Sequence, residues 1–232
     1  MKSIRIIILF VIVLLCGTDS LAQGVKIYKS DGTTINVPYS RLDSIVAVSG
    51  SDAAAEYVDL GLSVRWAACN LGAEKPEQYG SYFAWGEVAP KISYSKENSA
   101  TYNKNFRDVS GVKDYDAALS GRGTAARIPT NKELNELCER CTWRWTLFNG
   151  IGGMMVTGPN GGSIFLPAAG FYIGSSLFGE GSNGYYWTST PFDDDDRESH
   201  YLDFDKNFYY WGNWMRRYIG QTIRPVSDFT EE

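Results

Sequence analysis

From residue 56 to the C-terminus, the chain consists largely of short runs with strand character, separated by turns rich in glycine and asparagine. Runs such as MMVTG (154–158) and YYWTST (185–190) contain the β-branched and aromatic residues that strands favour. Turns such as GPNGG (158–162) separate these runs, each of which is only a few residues long. Because short connections join antiparallel neighbours, this pattern predicts a fold built mostly from antiparallel strands.

One helix has a clear predicted start, because Thr130 and Glu133 form a T-x-x-E capping box directly after Pro129. The apolar side chains that follow share one helix face at positions i, i+3, i+4 and i+7: Leu134, Leu137, Cys138 and Cys141. A weaker helical pattern covers YDAAL (115–119), and residues 88–113 lack any period, which predicts a long surface loop. The predicted fold class is α+β, with one or two helices and long loops.

Residues 1–22 have the features of a secretory signal peptide. Lys2 and Arg5 supply the positive start, and an apolar run at residues 6–16 follows. That run is shorter than the roughly 18 residues that a membrane-spanning helix needs. The sequence therefore predicts an exported protein that does not span the membrane.

Ser20 and Ala22 place small side chains at the −3 and −1 positions of a cleavage site, so the mature chain is predicted to begin at Gln23. The alternative is a lipoprotein anchored through Cys16, which is disfavoured because Leu15, directly before it, is not small. The predicted location is the periplasm, the cell surface or the extracellular medium.

Residues 23–48 are predicted to form a small β unit. The alternating runs VKIYKS and TTINVPY are joined by Asp31-Gly32, a strong signal for a two-stranded hairpin. A third short strand is predicted at VAV (46–48). The small polar residues 49–55 form a linker, after which residues 56–232 form the main domain.

The formal net charge of −5, without a basic cluster, argues against nucleic acid or an anionic membrane surface as a partner. The single histidine, His200, is the only imidazole that could serve as the base of a Ser-His-Asp or Cys-His arrangement. It lies where an alternating strand begins, which favours a strand-edge role. No catalytic residue is predicted.

A run of four acidic residues is the candidate for a metal site, since calcium prefers several oxygen ligands: Asp193, Asp194, Asp195 and Asp196. The stretch DFDKN (203–207) resembles the start of a calcium loop, but Phe208 and Trp214 occupy the positions of its essential glycine and glutamate. The favoured interpretation is a solvated loop followed by a strand, and the metal site is the alternative. No cofactor is predicted, and calcium is the one alternative.

Cleavage of the signal would leave three cysteines in an oxidising compartment, which allows at most one internal disulfide. Cys138 and Cys141 lie one helical turn apart, where a bridge would strain the helix. The bridge expected, if one forms, joins Cys69 with Cys141. The CERC motif fits helix-face cysteines better than a redox or zinc site, because it ends the helix and lacks two further zinc ligands.

Seven stretches, taken in order, resemble the Fibrobacter succinogenes major paralogous domain, a family of secreted and surface proteins common in Bacteroidetes. They are YVDLGLSVRWAACNLGA (57–73), YGSYFAWGE (79–87), RIPTNKELNEL (127–137), CTWRWT (141–146), SIFLPAAG (163–170), GYYWTST (184–190) and IRPV (223–226). The resemblance covers roughly residues 56–227, and residues 25–45 resemble a segment that often precedes such domains. The family has no established enzymatic activity, so the resemblance implies no catalytic residues.

The same order resembles, more loosely, the C-type-lectin-like scaffold of formylglycine-generating enzymes. Pro129-Thr130, Trp187 and Arg224 match scaffold positions of that group. Its paired cysteines lie late in the domain, whereas this chain has no cysteine after Cys141, so the copper-binding chemistry is not implied. What the resemblance implies is a C-type-lectin-like fold in which irregular loops of the C-terminal half bind ligands.

Residues 185–218 hold 12 of the 33 aromatic residues, and the segment 205–218 alone holds six of them beside two arginines. Trp187 and Phe204 are predicted to be core, and one of Trp211 and Trp214 is a further candidate for burial. About half of the six are expected to be exposed, because they share no period and have polar neighbours. The predicted ligand-binding residues are Tyr209, Tyr210, Trp211, Asn213, Trp214, Arg216 and Arg217.

The favoured hypothesis is a non-catalytic binding module, secreted or on the cell surface, that recognises a glycan or a protein. One alternative is an enzyme that acts on polysaccharide through an unrecognised acid pair. Another is a structural subunit of a surface assembly, with residues 24–48 as the docking element. The oligomeric state is left open by the sequence.

Overall fold

The computed structural model describes residues 24–28, 34–38, 56–123 and 125–229. Several sequence predictions fall outside these residues: the signal peptide at 1–22, the lipid anchor at Cys16, the short strand at 46–48 and the linker at 49–55. The chain divides into two units, residues 1–50 and 51–232, and each is described by itself.

In the first unit, β1 (Gly24–Tyr28) and β2 (Thr34–Pro38) pair antiparallel. Gly24 lies opposite Pro38, and Tyr28 lies opposite Thr34. This is the pairing that the two alternating runs around Asp31-Gly32 predict.

Three small antiparallel sheets and a hairpin make up the strands of the second unit. The first sheet consists of β3 (Tyr57–Val58), β4 (Arg65–Ala67) and β13 (Val226–Ser227), so it joins the two ends of the unit. Its strand order is β13-β4-β3. The buried guanidinium of Arg224 fixes this sheet to the next one, because it donates to the carbonyls of Ala67 (2.9 Å) and Phe165 (2.7 Å).

The second sheet is a meander of consecutive strands: β5 (Thr142–Phe148), β6 (Ile151–Thr157) and β7 (Ser163–Pro167). The β5–β6 turn is formed by Asn149 and Gly150, whose φ angles of 49° and 84° suit a two-residue hairpin. A hairpin of β8 (Phe171–Ile173) and β9 (Ser176–Phe178) follows.

The third sheet carries the aromatic segment. It consists of β10 (Gly184–Pro191), β11 (Glu198–Phe204) and β12 (Tyr209–Arg216), with β11 in the middle. Between the pairs Tyr201–Asn213 and Asp203–Tyr210, β11 has one residue and β12 has two, so β12 contains a bulge.

The bulge corrects one interpretation of the sequence. The resemblance to the C-type-lectin-like scaffold implies irregular ligand-binding loops in the C-terminal half, yet most of the segment 205–218 is a strand. Tyr210 and Asn213 point to the same face although they are three positions apart, because the extra residue in the bulge shifts the alternation.

Two α-helices are described, together with a short 3₁₀ turn at Lys96–Asn98. The first, α1 (Ala117–Arg122), begins after Asp116, whose carboxylate accepts hydrogen bonds from the N–H groups of Ala118 (2.9 Å) and Leu119 (3.0 Å). The predicted helix at 115–119 therefore exists but begins later, because Asp116 is its N-cap.

The second helix, α2 (Asn131–Arg140), begins as predicted, since the Thr130 and Glu133 side chains form the capping box. Leu134, Leu137 and Cys138 are buried, and the helix packs against β10, β11 and β12. At ten residues α2 is the longest helix in the described part of the chain, where none combines the length and apolar character needed to cross a bilayer.

The third sheet has a hydrophobic core on each face. On the side of α2, Leu202 and Phe204 pack with the helix residue Leu134. On the other side, Trp187 and Tyr201 belong to a second buried cluster. The predicted burial of Trp187 and Phe204 is confirmed. The described part of the chain is thus α+β, with mostly antiparallel strands in small sheets and two helices.

Candidate ligand-binding face

The predicted ligand-binding residues lie on β12, except for Arg217, which follows it; among the described strands, β12 is the edge of the third sheet and pairs only with β11. Among large apolar side chains, Tyr209, Tyr210 and Trp214 are 39 %, 49 % and 50 % exposed, and Phe208 is also exposed. Four of the six aromatics of 205–218 are therefore exposed, which agrees with the expectation that about half would be. Trp211 and Tyr218 are partly buried, and Trp211 packs against the core beneath α2.

Two of the exposed rings lie flat on another ring. The Tyr209 ring stacks on Trp143 with centroids 4.5 Å apart and planes 12° apart. The Trp214 ring stacks on Phe192 at 4.6 Å and 9°. One face of each ring is thus covered by protein, and the stacked partner holds the ring in a fixed orientation.

Tyr210 is held differently, by its own strand. Its ring lies over Gly212, where an added Cβ atom would come within 2.5 Å of the phenol oxygen. Gly212 is therefore required for the ring to lie close to the backbone. The glycine that interrupts the aromatic segment has a packing role here.

The rings occupy both faces of the sheet. Tyr209 and Trp214 lie opposite Phe204 and His200 of β11, and these β11 residues are on the α2 side. Together with Trp211 they form a line along the strand, which we call the β12 aromatic row (Tyr209, Trp211 and Trp214). Tyr210 lies opposite Asp203, on the other face.

Both polar neighbours of the rings are also held in place. Arg216 Nη1 lies 3.3 Å from Glu198 Oε1 and 3.5 Å from Asp195 Oδ2. Asn213 donates a hydrogen bond from Nδ2 to Asp203 Oδ1, at 2.7 Å. Arg216 is partly exposed at the end of the aromatic row, where its donors can still reach a ligand.

Arg217 is not part of the exposed face, so its predicted role as a ligand anchor is wrong. It is 0 % exposed, and its guanidinium lies over Trp85, 4.4 Å from the ring centroid. It donates to the carbonyls of Lys104 (2.7 Å) and Glu198 (3.0 Å), and burial lowers its pKa. The physical reason is strand alternation, which directs Arg217 inward when Arg216 faces outward.

The acidic run at 193–196 does not form the predicted metal site. The carboxylate of Asp195 binds Arg197 and also faces Arg216, and the hydrogen bond from Arg197 holds the pKa of Asp195 at about 2. Asp196 accepts a hydrogen bond from Asn105 at 3.4 Å. Among the residues that the structure describes, no three His, Cys, Asp or Glu side chains converge on a position that could hold a metal ion.

The predicted bridge between Cys69 and Cys141 is absent, because both thiols and that of Cys138 are free. Among charged groups, Arg224 has the largest effect on the pKa of the Cys69 thiol, whereas Arg140 has the largest effect on that of Cys141. The two thiols therefore lie in different surroundings. Burial raises the pKa of Cys138, and it raises that of Cys141 to about 11. Thiols of this kind are weak nucleophiles at neutral pH, which fits helix-face packing of the CERC motif.

His200 lies on β11 opposite Trp214, as the strand-edge interpretation predicts. Its ring meets Phe192 edge to face at 5.5 Å. Its Nδ1 atom is buried and has no hydrogen-bond partner among the described residues. In that part of the chain, no serine, cysteine or carboxylate forms a hydrogen bond with this nitrogen.

A surface depression of about 420 Å³ lies on the outer side of α2, away from the aromatic row. Three of the polar side chains that line it have structural partners. Thr130 and Glu133 form the capping box, and Glu136 accepts hydrogen bonds from the backbone and side chain of Ser63. The depression is therefore explained by the start of the helix.

Sequence reasoning missed Trp143 and Phe192, the rings beneath Tyr209 and Trp214. Trp143 is the second residue of β5, shortly after α2, and Phe192 follows β10. Neither is near its partner in the sequence, so no local pattern could have predicted the stacks. The abundance of aromatics in 185–218 was the only available signal.

Comparison with known proteins adds no assignment to this geometry. No protein-family model matches the chain, and no curated protein or solved structure matches it.

Proposed function

We propose that this chain is an exported, non-catalytic binding module that recognises a glycan or a protein through the β12 aromatic row and Arg216. We further propose that it belongs to the Fibrobacter succinogenes major paralogous domain family and has a C-type-lectin-like fold. The ordered series of sequence stretches supports the family. The α+β architecture, with its small antiparallel sheets and two helices, is compatible with the fold.

The observation that carries the proposal is the stacking of exposed rings. Tyr209 and Trp214 each present one free face while Trp143 and Phe192 cover the other. A ring that is already fixed loses little conformational entropy when a ligand binds, so its contact area converts efficiently into affinity. Exposed flexible aromatics would not have this advantage.

The row also has the composition of an interface centre. Aromatic residues and arginine are the side chains that most often dominate binding energy, and they do so where they cluster. Arg216 lies at the Trp214 end of the row, paired with the opposite strand through Glu198. A ligand along β12 would therefore meet flat apolar surfaces first and a guanidinium at one end.

The direct test is a binding screen of the exported chain against arrays of glycans and of proteins from its native environment. For any ligand found, Tyr209→Ala and Trp214→Ala should each weaken binding by about tenfold or more, as the loss of an interface anchor does. Circular dichroism should show that both variants remain folded.

Phe178→Ala is the matched control. Phe178 is 47 % exposed and its ring is stacked on Phe171 at 5.7 Å, so it resembles Trp214 in exposure and support but lies on β9. It should bind as the parent does. Equal binding by the Tyr209, Trp214 and Phe178 variants would show that the ligand site is elsewhere.

A further inference from the structure

The other face of the third sheet contains a carboxylate without a cationic partner. Asp203 is the next-to-last residue of β11, only 9 % exposed, and accepts a hydrogen bond from Asn213. No lysine, arginine or histidine of the described residues forms a salt bridge with it. Burial raises its pKa, since solvent is largely removed and the hydrogen bond from Asn213 compensates only in part.

Three tyrosines surround this carboxylate. Tyr185 of β10 and Tyr210 of β12 lie directly opposite Asp203 in the two neighbouring strands. Tyr201 precedes it by two residues on β11, so its side chain is on the same face. The Tyr185 and Tyr201 rings are stacked with centroids 5.8 Å apart. We call this group the Asp203 cluster (Tyr185, Tyr201, Asp203, Tyr210 and Asn213).

The electrostatics of the cluster favour a positive ligand. Aromatic faces carry negative partial charge, which repels a carboxylate and attracts a cation. Asp203 adds a full negative charge that its surroundings leave unpaired, and Asp205 adds a second one nearby. A bound cation would offset the cost of burying the carboxylate and would use the ring faces at the same time.

We propose that the Asp203 cluster binds an alkylammonium group. Asp203 supplies the counter-charge and Tyr185 and Tyr210 supply ring surfaces. The buried Tyr201 supports the Tyr185 ring by stacking, and Asn213 orients the carboxylate. This site is on the opposite face of the sheet from the aromatic row, so it does not depend on the function proposed above. The group could be a free organic amine or the lysine side chain of a protein.

The experiment titrates the exported chain with tetramethylammonium and n-butylammonium chlorides, and with tert-butanol and n-butanol as uncharged probes of similar size. The NMR signals of the Asn213 side-chain amide report on the site, because that amide donates to Asp203. Saturable shifts with the ammonium probes and none with the alcohols are expected. Tighter binding of tetramethylammonium would indicate a free quaternary amine, and tighter binding of n-butylammonium a lysine side chain.

Asp203→Asn removes the charge while its amide oxygen can still accept from Asn213, so the fold should be retained. Its affinity for the ammonium probes should fall by about tenfold or more. Asp205→Asn is the comparison variant, since it removes the same charge from the same strand end and keeps an oxygen for the N–H groups of Asn207 and Phe208. Because the Asp205 charge acts only from a distance, this variant should lose less affinity than Asp203→Asn. Unchanged affinity in Asp203→Asn, or alcohols that bind as well as the ammonium probes, would overturn the proposal.

Discussion

The tripeptide Tyr-Tyr-Trp occurs twice in the third sheet, and its two copies have opposite environments. In β10, Tyr186 and Trp187 are 2 % and 1 % exposed, and both indole and phenol are hydrogen bonded to backbone carbonyls. In β12, Tyr209 and Tyr210 are exposed and Trp211 is only partly buried. Identical residues thus form a core in one strand and a surface in the other.

The difference arises from the position of each strand in the sheet. Beyond β10 lies the segment around Thr222, which pairs with Tyr186 and encloses the strand. Beyond β12 no further strand follows within the residues that the structure describes, so one edge is open there. Exposed aromatics on an edge strand invite association with other molecules unless they serve a purpose, which supports a binding role for the second copy.

The largest expected effect comes from truncating the tryptophan of each copy. Trp187→Ala should lower the free energy of unfolding by about 3–5 kcal/mol, because it empties a fully buried site. Trp211→Ala should cost about 1–2 kcal/mol, because that indole is only partly buried. Chemical denaturation of both variants measures the difference. Equal losses would mean that the second copy is as much a core element as the first.

The adjacent arginines provide the next comparison. Arg217→Met should cost about 2–3 kcal/mol, since the buried carbonyls of Lys104 and Glu198 lose their donor. Arg216→Met should cost less than about 1 kcal/mol, because its ion pairs with Asp195 and Glu198 are near the surface. Thermal melts of the two variants at the same pH test this. A more stable Arg217→Met protein would show that burying the guanidinium is a net cost.

The features that could be predicted from the sequence were those that depend on local patterns. The capping box of α2, the fold class and the burial of Trp187 follow from short-range patterns, and the structure agrees with all three. The bulge at Trp211 and Gly212 could not be predicted, because it depends on pairing with β11. The bulge interrupts the alternation of side chains along β12. Without that alternation, the second Tyr-Tyr-Trp copy could not be identified as part of a strand.

The errors at the site have the same origin. Arg216 and Arg217 are chemically identical in the sequence, and only the direction of β12 decides which one is buried. The acidic run at 193–196 offered four carboxylates, but the nearby Arg197 binds one of them. Stacking partners and ion pairs are tertiary contacts, so composition indicated a recognition surface without identifying its members.

The glycines beside the two Tyr-Tyr-Trp copies also differ in how tightly their surroundings are packed. An added methyl group at Gly184 would overlap the Phe204 ring in the core, so Gly184→Ala should cost about 1–3 kcal/mol. At Gly212 it would meet the end of the Tyr210 side chain, which can move outward. Gly212→Ala should cost less than about 1 kcal/mol, below the range for overpacking a core site. Denaturation curves measure both, and a Gly212→Ala loss as large as that of Gly184→Ala would show that Tyr210 is fixed as rigidly as a core residue.

The smallest expected effect concerns Asp203, which lies between the two copies and faces a tyrosine of each. Its pKa is raised in the folded protein, so the folded state holds this proton more tightly than the unfolded chain does. Ionisation therefore costs stability as the pH rises from the ordinary range of an aspartate through the raised pKa. Below about pH 3, where both states are protonated, the cost disappears.

Asp203→Asn should consequently be more stable than the parent near about pH 7, by at most about 1 kcal/mol because the hydrogen bond from Asn213 offsets part of the cost of burial. The advantage should shrink as the pH falls and vanish near about pH 3. Thermal melts of the two proteins across this range test the sign. An Asp203→Asn protein that is less stable at neutral pH would mean that the carboxylate is stabilised by its neighbours, and the tyrosines of the two copies would then form a favourable setting for an anion.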